Sequence, residues 1–212
     1  MLTESERKRI IDNCKAALLS VAPNYFCAPL PGGDKIFSER MFAYEFYHQL
    51  RIKFEGESWY VNGEFRKGLT LAGVTFDQLT VIPDIVIHHS GTLKDNIATF
   101  EIKVAPKVSA SEIIRDLEKL EMYTRPTNGL NFKIGALIMV NQCLNIMYEG
   151  CSADEKKRIS NLISTYPRIA IWNIPRPISS GSGAKIYLNA DCLKIYHKEC
   201  MPSGLQLSNS IR

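Results

Sequence analysis

The stretch from Pro83 to Lys103 constrains this chain more than any other. Two runs rich in Ile, Val, Thr and Phe, Asp84-Ile85-Val86-Ile87-His88-His89 and Ile97-Ala98-Thr99-Phe100-Glu101-Ile102-Lys103-Val104, flank the polar Ser90–Asn96 segment. That pattern predicts a β-hairpin with a longer loop. Folding the chain back about residue 93 sets Asp84 opposite residue 102, give or take one. Glu101 and Lys103, two apart on one strand, point to the same face. A register one residue off 84:102 puts Asp84 on that face, with Cβ atoms of opposite residues about 5 Å apart. Two carboxylates and an ammonium then converge on largely apolar strands, where charge is unfavourable without a partner. A bound divalent cation would account for them; a surface cross-strand salt bridge is the plainer alternative.

The surroundings are those of an ordinary globular protein. At 212 residues, 45% hydrophobic and 23% charged, the chain suits a single domain with a sizeable core. A formal charge of +4 permits a phosphate-bearing partner without demanding one. The six cysteines, at 14, 27, 143, 151, 192 and 200, include no Cys-x-x-Cys pair, which argues against a zinc site. No apolar run approaches the ~20 residues of a membrane helix, and the polar start Met1-Leu2-Thr3-Glu4-Ser5-Glu6 does not resemble a secretory signal. The expectation is a cytoplasmic protein with reduced thiols and no membrane association.

Along the chain, Thr3-Glu4-Ser5-Glu6 has capping-box spacing, and Ile10, Ile11, Cys14, Leu18 and Val21 recur at helical intervals, predicting a helix over 4–21. Pro23, Pro29, Pro31, Gly32 and Gly33 then predict a loop. Ser38 caps a second helix to about Phe54, with Met41, Phe42, Phe46 and Leu50 on its apolar side and Glu45 among them. Asn62-Gly63 between Trp59-Tyr60-Val61 and Glu64-Phe65 predicts a tight hairpin. After the central hairpin, Ser109 or Ser111 opens a helix through Tyr123, carrying Ile113, Ile114, Leu117 and Leu120 inward. The nearly all-apolar Ile134–Val140 predicts a strand covered on both faces. A helix follows from Ser152, then a strand over 168–174, a loop over 175–183 and a last strand near 184–188. The order predicts an α/β fold: a mixed central β-sheet flanked by helices.

Asp84 preceded by Pro83, followed by Glu101-Ile102-Lys103 at the close of the next strand, resembles the PD-(D/E)XK nuclease superfamily, the restriction-endonuclease-like fold. That family's core order is helix, three strands, helix, strand (αβββαβ), and residues 38–140 match it. The resemblance implies one nuclease-like domain over 1–212, with the N-terminal helix of 1–37 and the extension 141–212 decorating the core. It implies a magnesium-dependent endonuclease acting on DNA, with Mn²⁺ as a substitute metal and a homodimer as the common assembly. Asp84 and Glu101 would be metal ligands, Lys103 would serve the attacking water, and Glu45 stands where the preceding helix often supplies a further acid. Asp116, Lys119 and Tyr123 occupy the helix after the Glu-x-Lys strand, where Lys119 and Tyr123 would border the site or contact phosphate. Some branches carry Gln where this chain has Lys119.

The chemistry is coherent on physical grounds. Magnesium takes octahedral oxygen coordination at about 2.1 Å from one or two carboxylates and several waters, and Asp84, Glu101 and the Ile102 carbonyl supply such a set. The cation would polarise a phosphoryl oxygen and acidify a bound water, leaving Lys103 to position or deprotonate that water, or to neutralise charge on the phosphorane. Arg40, Arg51, Lys53, Arg66, Lys67, Lys107, Arg115 and Lys119 lie near in sequence and could meet phosphates. No nucleophile elbow or phosphate-cradling glycine loop is present, so nothing points to acyl transfer or an organic cofactor. The rival expectation is a nuclease-fold module that binds nucleic acid or protein without turnover.

Overall fold

The computed structural model describes residues 2–64, 82–89, 96–127, 129–174 and 194–196. Helix α1 spans Glu4–Leu19 and opens with a complete capping box, Thr3 and Glu6 each satisfying the other's backbone N–H. The segment read as a loop contains a two-residue hairpin, β1 (Ala28–Pro29) and β2 (Lys35–Ile36). Helix α2 is Glu39–Lys53, capped by the Ser38 hydroxyl. Strands β3 (Tyr60–Gly63), β4 (Ile85–His88) and β5 (Asn96–Val104) follow, then helix α3 (Ala110–Thr124) and β6 (Ile134–Val140). Helices α4 (Leu144–Glu149) and α5 (Ala153–Thr165) lead to β7 (Ile169–Ile174) and β8 (Lys194–Tyr196).

The sheet runs β3-β4-β5-β6-β7-β8. It is mixed: β5, β6 and β7 are parallel to their neighbours in that trio, while β3, β4 and β8 pair antiparallel. Both sheet faces are covered, which explains why β6 and nearly all of β4 are apolar without alternation, whereas β5 alternates and sets Thr99, Glu101 and Lys103 on one face. Ile10 and Leu18 of α1 and Phe42, Phe46 and Leu50 of α2 pack on one face against Ile85, Ile87, Phe100 and Ile102. Phe46 meets Phe100 edge to face at 5.5 Å between centroids, a favoured aromatic geometry. On the other face, Ile113, Leu117, Leu120 and Tyr123 of α3 and Ile159 and Ile163 of α5 pack on Val86, Leu137, Met139 and Ile171. Gly135 permits the close approach of α3, since a Cβ there would lie 2.8 Å from the Thr124 methyl. Among the described residues no helix is long and apolar enough to cross a membrane.

The structure corrects the sequence expectations at several points. Asn62-Gly63 is not a hairpin tip; both residues lie within β3, paired to Val86 and Ile85. The Asn62 side chain is used across the strands, with Oδ1 2.8 Å from His88 Nε2, and the chain bends at Glu64, whose φ is +43°. Helix α4 and strand β8 were not expected. Phe65, the stretch 68–78, the turn 90–95, the loop 175–183 and the expected strand 184–188 lie outside the described residues.

Candidate functional site

The register of the central hairpin decides what shares a face. Ile85 pairs with Phe100, Val86 with Thr99 and Ile87 with Ala98. One step further along the same register, Asp84 stands opposite Glu101, on the face of Val86, Thr99, Glu101 and Lys103 that α3 covers. This is the shifted register the sequence required. Asp84 Oδ2 accepts a 2.8 Å hydrogen bond from the Ile102 backbone N–H. Because N–H and C=O of one strand residue point to the same side, the Ile102 carbonyl also faces the Asp84 side of β5.

From Glu101 an alternating ladder of charge crosses the site. Lys119 Nζ lies 3.0 Å from Glu101 Oε2 and 2.7 Å from Asp116 Oδ1. Lys103 Nζ lies 3.3 Å from Asp116 Oδ2 and 3.3 Å from Glu39 Oε2. Asp116 is fully buried, and Glu101 is 2% exposed. The ladder thus ties the first turn of α2 to β5 and α3.

The acids outnumber the lysines: Glu39, Asp84, Glu101 and Asp116 against Lys103 and Lys119. Burial shows what that excess does to protonation. It pushes the Asp84 carboxyl up to about 6, against the opposing Ile102 hydrogen bond. Burial, then the charge of Asp84, pushes Glu101 up to about 8. Burial alone would lower both ammonium groups, but Asp116 and Glu39 hold Lys103 above the usual lysine range, and Glu101 and Asp116 do the same for Lys119. Both lysines are therefore firmly cationic. Burial, with the charges of Glu101, Asp84 and Asp116, pushes the Tyr123 phenol up, so it stays neutral. Glu101 Oε1, Thr99 Oγ1 and Tyr123 Oη are buried with no hydrogen-bond partner among the described residues, and such groups normally have one.

Asp84, Glu101, Lys103, Lys119 and Tyr123 all contribute to this one region, as the sequence suggested. Glu45 is held elsewhere. Its side chain, 13% exposed, accepts from Gln49 Nε2 at 2.7 Å and lies 3.3 Å from His48 Nδ1, both on its own helix. The acid that α2 brings to the site is Glu39. The sequence hid it because Glu39 also fits the role of a first-turn carboxylate facing the helix dipole. The apolar stripe of Phe42 and Phe46 drew attention to Glu45 instead. Glu39 and Glu45 are about 120° apart around the helix axis.

An open groove of about 600 Å³ adjoins the site, bounded by Glu39, Arg40, Tyr44 and Tyr47 of α2, by Asn62 and Gly63 of β3, and by Asp84 and Ile85. Among the described residues no three His, Cys, Asp or Glu side chains converge to enclose a metal. No family model, curated protein or solved structure matches the chain.

Proposed function

We propose that this chain is a magnesium-dependent nuclease with a restriction-endonuclease-like core that hydrolyses phosphodiester bonds in DNA. The observation carrying the proposal is the carboxylate excess at the open end of β4 and β5, where Asp84 opposes Glu101 and Glu101 Oε1 lacks a partner among the described residues. Buried carboxylates in surplus over their cations suit a hard divalent cation, which oxygen donors bind in preference to nitrogen or sulfur. Asp84, Glu101 and the Ile102 carbonyl would hold it, with Mn²⁺ as a substitute. Bound there, the cation would supply Lewis-acid polarisation and an acidified water. The element order α2-β3-β4-β5-α3-β6 supports the same conclusion.

The residues of the chain then take distinct parts. Lys103, kept cationic by Asp116 and Glu39, neutralises charge on the phosphoryl oxygens rather than abstracting a proton. Lys119 holds Glu101 in place through the 3.0 Å contact. Asp116 fixes both lysines. Tyr123, a neutral phenol, is a hydrogen-bond donor aimed at no protein group among the described residues.

A second function, binding without turnover, is favoured by one observation. Lys119 is already ion-paired with both Glu101 and Asp116. Supercoiled and linear DNA incubated with Mg²⁺, Mn²⁺ or EDTA separates the two. Metal-dependent cutting that disappears in Asp84→Asn supports the nuclease. A folded protein that cuts neither DNA form with either metal is not one.

A further inference from the structure

The groove beside Asp84 continues away from the carboxylates. A second concavity of about 590 Å³ lies between the C-terminal half of α2 and β3, and it shares Tyr47 and Asn62 with the first. Together they follow α2 and β3 from Asp84 toward Trp59. Among the described strands β3 is an edge of the sheet.

This track is lined unlike the rest of the surface. Tyr44, 61% exposed, lines the first concavity, and Tyr60, 57% exposed, and the exposed Ile52 line the second. Helical spacing sets Tyr44 among basic side chains: Arg40, Tyr44, His48 and Arg51 follow one another at intervals of three or four residues along one side of α2. Arg51 lies over the Tyr47 ring at 5.9 Å. Arg40 makes an exposed pair with Glu64 at 3.6 Å, a kind of contact that contributes little and exchanges readily.

We propose that this track binds a single-stranded nucleic acid, its bases stacked on Tyr44 and Tyr60 and its phosphates met by Arg40 and Arg51. The proposal rests on the nuclease function above, and names the form of substrate that function acts on. Rings alternating with cations along a groove are the means by which proteins hold single strands without reading sequence, because every base has a face to stack. The acids Glu39 and Glu64 lie at the Asp84 end. Glu55 lies at the far end, so the expected affinity is modest and falls with salt.

Fluorescence anisotropy with a short labelled oligothymidylate, in EDTA so that no strand is cut, tests the track. Tyr44→Ala and Tyr60→Ala remove exposed rings, and unchanged melting temperatures would verify their fold. The expected result is single-strand binding at least several-fold tighter than for a duplex of equal length. Either alanine variant should weaken it on the order of ten-fold, with Tyr44→Phe retaining it. Binding that is absent, indifferent to both tyrosines, or tighter for duplex overturns the track. The two proposals fail separately. Asp84-dependent cutting with tyrosine-independent binding leaves the nuclease and removes the track. Tyrosine-dependent binding with no cutting under any metal leaves the track and removes the nuclease.

Discussion

The Asp84 carboxylate is tied to the backbone N–H of Ile102 at 2.8 Å, between the two charged residues of the Glu101-Ile102-Lys103 strand end. One oxygen of the first acid is therefore fixed by the backbone of the strand that carries the second. The relative position of Asp84 and Glu101 depends on strand register more than on the rotamer of either side chain.

Metal binding should appear as stability. If Asp84 and Glu101 hold a divalent cation, saturating Mg²⁺ or Mn²⁺ stabilises the native state by mass action, by about 2.7 kcal/mol at one hundred times Kd. A scan of melting temperature against metal concentration checks this. The shift should vanish in Asp84→Asn, and a wild-type protein indifferent to both metals contradicts the site.

Removing one acid should stabilise the metal-free protein where pH is high. Asp84 and Glu101 bind protons at about 6 and about 8 when folded, against roughly 4 in an unfolded chain. The folded state holds the protons more tightly, so their contribution is complete below about pH 4 and is lost as pH rises through 6 to 8. In EDTA, the melting temperature of wild type should therefore decline between pH 6 and 8 more than that of Glu101→Gln. Parallel curves for the two proteins would show that Glu101 is already ionised at pH 6.

Lys103→Met should reduce cleavage at least a hundred-fold, the scale for losing a charge-stabilising group, while the protein remains folded. Lys103→Arg keeps the charge but changes its shape, and should recover only part of the rate. Equal rates in wild type and Lys103→Met, measured on one DNA substrate with saturating Mg²⁺, would exclude Lys103 from the chemistry.

Asp116 is the position where loss should harm folding most among the charged residues. Asp116→Ala leaves Lys103 and Lys119 without their common buried partner and should lower stability by about 3–5 kcal/mol. Asp116→Asn keeps the shape and should lower it less. Urea denaturation of the three proteins gives the order, and an Asp116→Ala protein as stable as wild type would mean that the ladder contributes nothing.

Where one physical pattern dominated, the sequence was readable. Ile134–Val140 is buried on both faces and has no other reasonable fate, and helices do begin at the cap candidates Thr3 and Ser152 and, of the pair Ser109 and Ser111, at Ser109. The central pairing was legible because alternation leaves only one register that gathers the charges. Asn62-Gly63 misled because a strong local turn signal was outweighed by pairing to β4 and by the contact to His88. Glu39 and Glu45 show the limit for the site. A helical wheel ranks acids by angle to the core, whereas Glu39 reaches Lys103 from the rim, around the end of the sheet. Strand β8 is three residues long and packs on a neighbour far back in the chain, so local sequence carries little trace of it.

The ladder from Glu101 to Glu39 has a consequence for how an incoming phosphate would be received. Lys103 is already stripped of much of its water and held by acids from two different helices. A phosphate displacing Glu39 would exchange one anion for another around an ammonium that is already dehydrated and oriented. Much of the solvent reorganisation that accompanies anion capture at a free lysine has thus occurred during folding. The same exchange would free the Glu39 carboxylate on the first turn of α2, beside Arg40.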